Sequence, residues 1–195
     1  MPASDMINHR NGHWYNAQHY SSRKQGFSLV TNRRVEAGEQ LYCSYNTCTI
    51  CGSRMDKWGT PEMLRDYGFV EPFPQRYVLE AARLKFGLDE AKEGAGLVVK
   101  WYVPPSQRGL DFLRSELDRL RRVLAMKGST NRRSEGRGEI LESEWKTIWT
   151  FHDALVVAFT AALAQAPAVS EEVWSMGENQ WYKDMSRGWP PNRFY

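Results

Sequence analysis

Leu110, Leu113, Leu117, Leu120 and Leu124 recur at steps of three and four, which places five leucines on one side of a 3.6-residue helix. Leu141, Trp145, Ile148, His152, Leu155, Phe159 and Leu163 repeat that spacing, and Pro167 ends the run. Two long helices are predicted, joined by a polar, Gly-containing loop over residues 128–138. Upstream the period changes. Leu41, Cys43 and Tyr45 alternate with Gln40, Tyr42 and Ser44. That is the period of a strand, and it sets Tyr45 on the face opposite Tyr42. Residues 27–31 have strand character, residues 76–86 and 97–103 read as two more strands, and residues 36–39 as a turn. A short helix opens at Thr60-Pro61 with Thr60 as N-cap and closes at Gly68, with Met63, Leu64 and Tyr67 on its apolar side. Residues 1–25 and 46–59 are polar and read as loops. Strands followed by helices make an α+β chain.

Composition narrows this only a little. The chain has 195 residues, 42% of them hydrophobic, and a formal net charge of +3. That suffices for a core and for about one domain, and it does not call for nucleic acid. No apolar run reads as a bilayer span, and no secretory leader is visible. Three cysteines are an odd number, which argues against a disulfide framework and for a reducing setting. An intracellular soluble protein is expected, with cytoplasm, nucleus and plastid indistinguishable. The Glu71-Pro72-Phe73-Pro74 connector is stiff and divides the chain into residues 1–72, residues 73–169 and an aromatic tail at 170–195 that carries Trp174, Trp181 and Trp189.

Three short segments carry chemistry through their order: Asp5-Met6-Ile7-Asn8-His9, then the run Gly38 to Asn46 ending Cys43-Ser44-Tyr45-Asn46, then the run Glu62 to Val70 containing Tyr67-Gly68-Phe69. Together they resemble the C-terminal half of a SET-domain protein methyltransferase, in the branch of the plant RuBisCO large-subunit lysine methyltransferase. The resemblance covers roughly residues 5–80. It implies a β-rich SET portion with a pseudoknot, followed by a mainly helical substrate-binding domain at 73–169.

What the resemblance implies can be read residue by residue. Asn8 and His9 match the Asn-His that contacts S-adenosylmethionine. Tyr45 matches the catalytic tyrosine, Tyr67 a tyrosine lining the channel for the target side chain, and Phe69 an aromatic beside the cofactor. The chemistry suits these residue types. Methyl transfer from a sulfonium to a neutral amine is an in-line displacement that asks for orientation more than for a strong base. A phenol and aromatic faces can also lie against a sulfonium without charging. The expected activity is methylation of a lysine side chain on a non-histone protein. Histidine as the target, or a non-catalytic protein-binding module derived from such an enzyme, are the alternatives. The expected partner is a protein substrate, with no nucleic acid, no membrane and a monomeric state.

Two departures from the family stand out. The Gly-x-Gly segment that precedes Asn-His in the family has no counterpart at that place, so the chain is expected to be a fragment, weak or inactive alone. Cys48-Thr49-Ile50-Cys51-Gly52 has the shape of half a zinc knuckle, but a structural zinc needs four ligands, so Cys48 and Cys51 are weak metal candidates. Residues 108–137 hold nine basic and four acidic residues, read as a solvated helix face with i,i+3 pairing. His152, inside an apolar stripe, is read as a core histidine.

Overall fold

The computed structural model describes residues 6–22, 26–46, 58–94, 96–126 and 140–169. It is α+β, as the periodicities predict. Its elements in chain order are β1 (Asn8–His9), β2 (Ala17–Ser22), β3 (Gly26–Thr31), β4 (Tyr42–Cys43), α1 (Thr60–Tyr67), β5 (Gln75–Leu79), β6 (Leu84–Glu90), β7 (Leu97–Trp101), α2 (Gln107–Ala125) and α3 (Glu142–Ala164). They build three small sheets: β1 parallel to β4, a β2–β3 hairpin, and an antiparallel β5-β6-β7 sheet.

The main core lies between the β5-β6-β7 sheet and the two long helices. Tyr77, Leu84, Phe86 and Leu88 point inward from the sheet and meet Leu110, Leu113, Leu117 and Leu120 of α2 and Phe159 of α3. Tyr77 stacks on Phe86 at 5.2 Å, and Phe159 meets Tyr77 edge-on at 6.4 Å. Each such side chain taken from water contributes roughly 1.5–3 kcal/mol. The phenol of Tyr77 donates to Gln75 Oε1 at 2.8 Å, so its polar end is satisfied inside the core.

Several expectations shift. The N-terminal segment is not all loop, because residues 17–22 form β2. Its sequence, Ala-Gln-His-Tyr-Ser-Ser, has no apolar alternation, and only pairing with β3 makes it a strand. The single strand expected over 76–86 is instead a hairpin, reversed at Arg83, whose φ of 53° is left-handed. The strand expected at 41–45 shortens to Tyr42–Cys43. Thr60 is not the N-cap of α1. Gly59 takes that place, and its N–H donates to Glu62 Oε2 at 2.8 Å. A β-carbon at Gly59 would lie 2.4 Å from the carbonyl oxygen of Arg76, so only glycine lets α1 approach β5. Gly68 closes the helix with φ 75°, as predicted.

The leucine stripe of α2 is buried except at its last member, Leu124. The stripe of α3 is displaced. Its buried residues are Trp149, His152, Ala158, Phe159 and Ala162, while Leu141 and Ile148 are exposed. The helix is apolar on most sides, so periodicity could not choose the inward face; the small side chains of Ala158 and Ala162 fill it. By length and composition α3 is also long and apolar enough to cross a membrane, which corrects the reading that no run reaches that length. In the fold its inward face packs on α2 and the sheet. His152 is the core histidine expected: Nε2 lies 2.9 Å from the carbonyl of Leu120.

Candidate functional site

The site is assembled by two very short strands. Parallel pairing of β1 with β4 sets Asn8 opposite Tyr42 and His9 opposite Cys43. Below it, Asn16 is fully buried and acts as a strut: its Oδ1 accepts the Tyr42 N–H at 2.8 Å, and its Nδ2 donates to the Gln40 carbonyl at 2.9 Å. The chain leaving β4 then passes directly over β1. Tyr45 N–H donates to His9 Nδ1 at 2.9 Å, and the Tyr45 hydroxyl donates to the carbonyl of Ile7 at 2.5 Å.

Four of the five residues singled out from sequence come together here. His9 and Tyr45 have ring centroids 5.1 Å apart, Tyr45 and Tyr67 4.9 Å, His9 and Phe69 5.9 Å, and Tyr67 and Phe69 6.4 Å. The cluster grades from a buried floor to an open rim. His9 is buried, Tyr45 and Phe69 are half-buried, and Tyr67 is 47% exposed. Asn8 does not join it. It alternates with His9 along β1, so its side chain is exposed while that of His9 is buried. Cys48 and Cys51 lie outside the described residues. Among the described residues no group of three or more His, Cys, Asp or Glu could hold a metal ion. Cys43 is buried, and burial raises its thiol above the usual value.

The residue that organises this region was not predicted at all. Glu71 is 1% exposed. Its carboxylate oxygens lie 2.6 Å from His9 Nε2, 2.8 Å from Asn11 Nδ2, 3.1 Å from Asn46 Nδ2 and 2.6 Å from the Thr60 hydroxyl. Because His9 Nδ1 accepts from Tyr45 N–H, the ring proton of the neutral tautomer sits on Nε2 and is donated to Glu71. Both nitrogens of His9 are thus used within the protein, and only its ring face is available to anything bound. Thr60, displaced from the N-cap role, is free to serve Glu71. A buried carboxylate with this many donors is a satisfied one. The signal in the sequence was an acid isolated in an apolar, proline-rich run, Phe69-Val70-Glu71-Pro72-Phe73. A residue type that usually stays in water needs a reason to sit there.

Around the strut, burial with help from the neighbouring Cys43 and Tyr20 pushes the Tyr15 phenol up to about 12. The Arg33 guanidinium beside Glu39 brings that exposed carboxyl down to about 2.

Comparison of the chain with protein-family models, with curated proteins and with solved structures finds no match.

Proposed function

We propose that this chain is part of an S-adenosylmethionine-dependent protein methyltransferase of the SET class, acting on a lysine side chain of a protein substrate. The observation that carries the reading is the convergence of His9, Tyr45, Tyr67 and Phe69, from three separate segments, into one graded aromatic cluster that opens at Tyr67. A sulfonium cation fits such surroundings, since ring faces and the Ile7 carbonyl and Tyr45 hydroxyl oxygens offer electron density without a full charge. When bound, the cofactor supplies an electrophilic methyl group on that sulfonium. The part left to the protein is to present a neutral amine in line with it and to keep water from the contact. In this reading Tyr45, locked through both its N–H and its hydroxyl, orients the incoming amine, and Tyr67 forms the lip through which the side chain enters. Phe69 and the His9 ring close the apolar wall. Asn8, exposed beside them, is the group left to meet the polar end of the cofactor.

The test is an NMR titration of the chain with S-adenosylmethionine and, separately, with the neutral thioether S-adenosylhomocysteine, following aromatic side-chain resonances. Shifts centred on Tyr45, Tyr67 and Phe69, larger for the sulfonium, are expected, and Tyr45→Phe should shrink the difference between the two ligands. Rings that stay unmoved at millimolar ligand, or shifts centred elsewhere, overturn the proposal.

A further inference from the structure

A cavity of about 480 Å³ is lined in part by the Pro72-Phe73-Pro74 connector and by none of the residues of the aromatic cluster. Its two sides differ in chemistry. One is the short turn at Gly12–Trp14 with Arg10 beside it; the other is the end of β6, where Asp89 and Glu90 are exposed. The floor between them is Pro72, Phe73 and Pro74.

The charges in this groove are arranged unusually. Arg10 shares this groove with Asp89 and Glu90, yet among the described residues it forms no ion pair with either. Its guanidinium carbon instead sits 4.8 Å over the Trp14 ring and 6.0 Å from the centre of the Tyr42 ring. The His13 ring also lies against Trp14, with ring centroids 4.5 Å apart. The stack therefore holds the one permanent cation of the groove against aromatic surface, worth a useful fraction of an ion pair at an exposed site. Asp89 and Glu90, exposed at the end of β6, line the groove together with Pro72, Phe73 and Pro74. The Asp89 carboxylate accepts a local hydrogen bond from the Glu90 N–H at 2.9 Å.

We infer that this groove binds a basic, extended peptide segment, with a Lys or Arg head at Asp89 and Glu90 and its aliphatic stem along Pro72, Phe73 and Pro74. Proline and aromatic walls suit an extended backbone that is already stiff, and long basic side chains cover apolar surface while keeping the charged head in water. Trp14 and Tyr42 keep the site open by restraining Arg10, which would otherwise neutralise it. Calling that segment part of the substrate rests on the methyltransferase reading; the binding itself does not.

The experiment uses the full chain and a fluorescent, end-blocked, alternating proline–arginine pentapeptide, read by anisotropy. Controls carry citrulline or glutamate in place of arginine. The arginine peptide should bind, and binding should weaken as salt rises. The pair Asp89→Asn and Glu90→Gln should weaken it roughly tenfold, about threefold per exposed carboxylate. Arg10→Gln should strengthen it, and Trp14→Ala should weaken it unless Arg10→Gln is also present. Equal binding of the citrulline peptide, preference for the glutamate peptide, indifference to the paired acidic substitutions, or no binding at millimolar peptide each overturn the inference. The two readings fail separately: the S-adenosylmethionine titration reports on Tyr45 and Tyr67, whereas the peptide anisotropy responds to Asp89, Glu90 and Arg10.

Discussion

Glu71→Ala should be among the most damaging single substitutions in this chain. It removes the acceptor for four side-chain donors, those of His9, Asn11, Asn46 and Thr60, at 2.6 to 3.1 Å. Each donor left buried without a partner costs roughly 1–3 kcal/mol. Water entering the vacated space offsets part of that, so about 4 kcal/mol is expected, against the ~5–15 kcal/mol that holds a typical domain together. Glu71→Gln is the informative partner. Its amide oxygen can take the place where His9, Asn11 and Asn46 converge, and its NH2 then faces Thr60, whose hydroxyl rotates to accept. The loss should be about 1–2 kcal/mol, mainly the charge assistance of the bonds that remain. Urea unfolding followed by circular dichroism gives both values. Long-range nitrogen–proton correlations on His9 supply a second readout: Tyr45 N–H still occupies Nδ1, so Glu71→Ala should keep the Nε2–H tautomer while the Nε2 proton, its acceptor gone, moves upfield. An alanine variant within about 1 kcal/mol of the parent, or a glutamine variant less stable than the alanine one, would refute the argument that this carboxylate organises the site.

Two further outcomes follow from the fold. Gln165 closes the open edge of β7: its Oε1 accepts the Val99 N–H at 2.9 Å and its Nε2 donates to the Leu97 carbonyl at 2.8 Å. Gln165→Ala should cost about 1–2 kcal/mol in urea unfolding and speed hydrogen exchange at Val99, whereas unchanged exchange there would show that the edge does not depend on it. Burial raises the phenols of Tyr15, Tyr77 and Tyr102 above their ordinary value of 10.0, Tyr15 to about 12. Stability from neutral, buried phenols is complete below the unfolded value and is lost as pH rises through the folded ones, so unfolding should set in above about pH 10 together with late tyrosinate absorbance. Tyrosines that all ionise near pH 10 with the fold intact would contradict that.

What could be read along the chain was local. The five-leucine stripe marked α2, Gly68 marked the end of α1, and residues 27–31 marked β3, because each signal lies within a few residues of what it specifies. The order of Asn8-His9, Tyr45 and Tyr67-Gly68-Phe69 likewise pointed to residues that do meet, apart from Asn8. What could not be read was set by partners far away in sequence. β2 is polar and is a strand only through β3. Thr60 looks like an N-cap but is drawn into the helix by a carboxylate eleven residues on. In α3 apolar residues on most sides left the inward face to be chosen by α2 and the sheet. Glu71 is the extreme case. Its neighbours in the chain describe a stiff connector, and its neighbours in space, 11 to 62 residues distant, make it the centre of the site. Periodicity reports which face of an element avoids water; which buried polar group finds its donors depends on contacts that exist only once the chain has closed on itself.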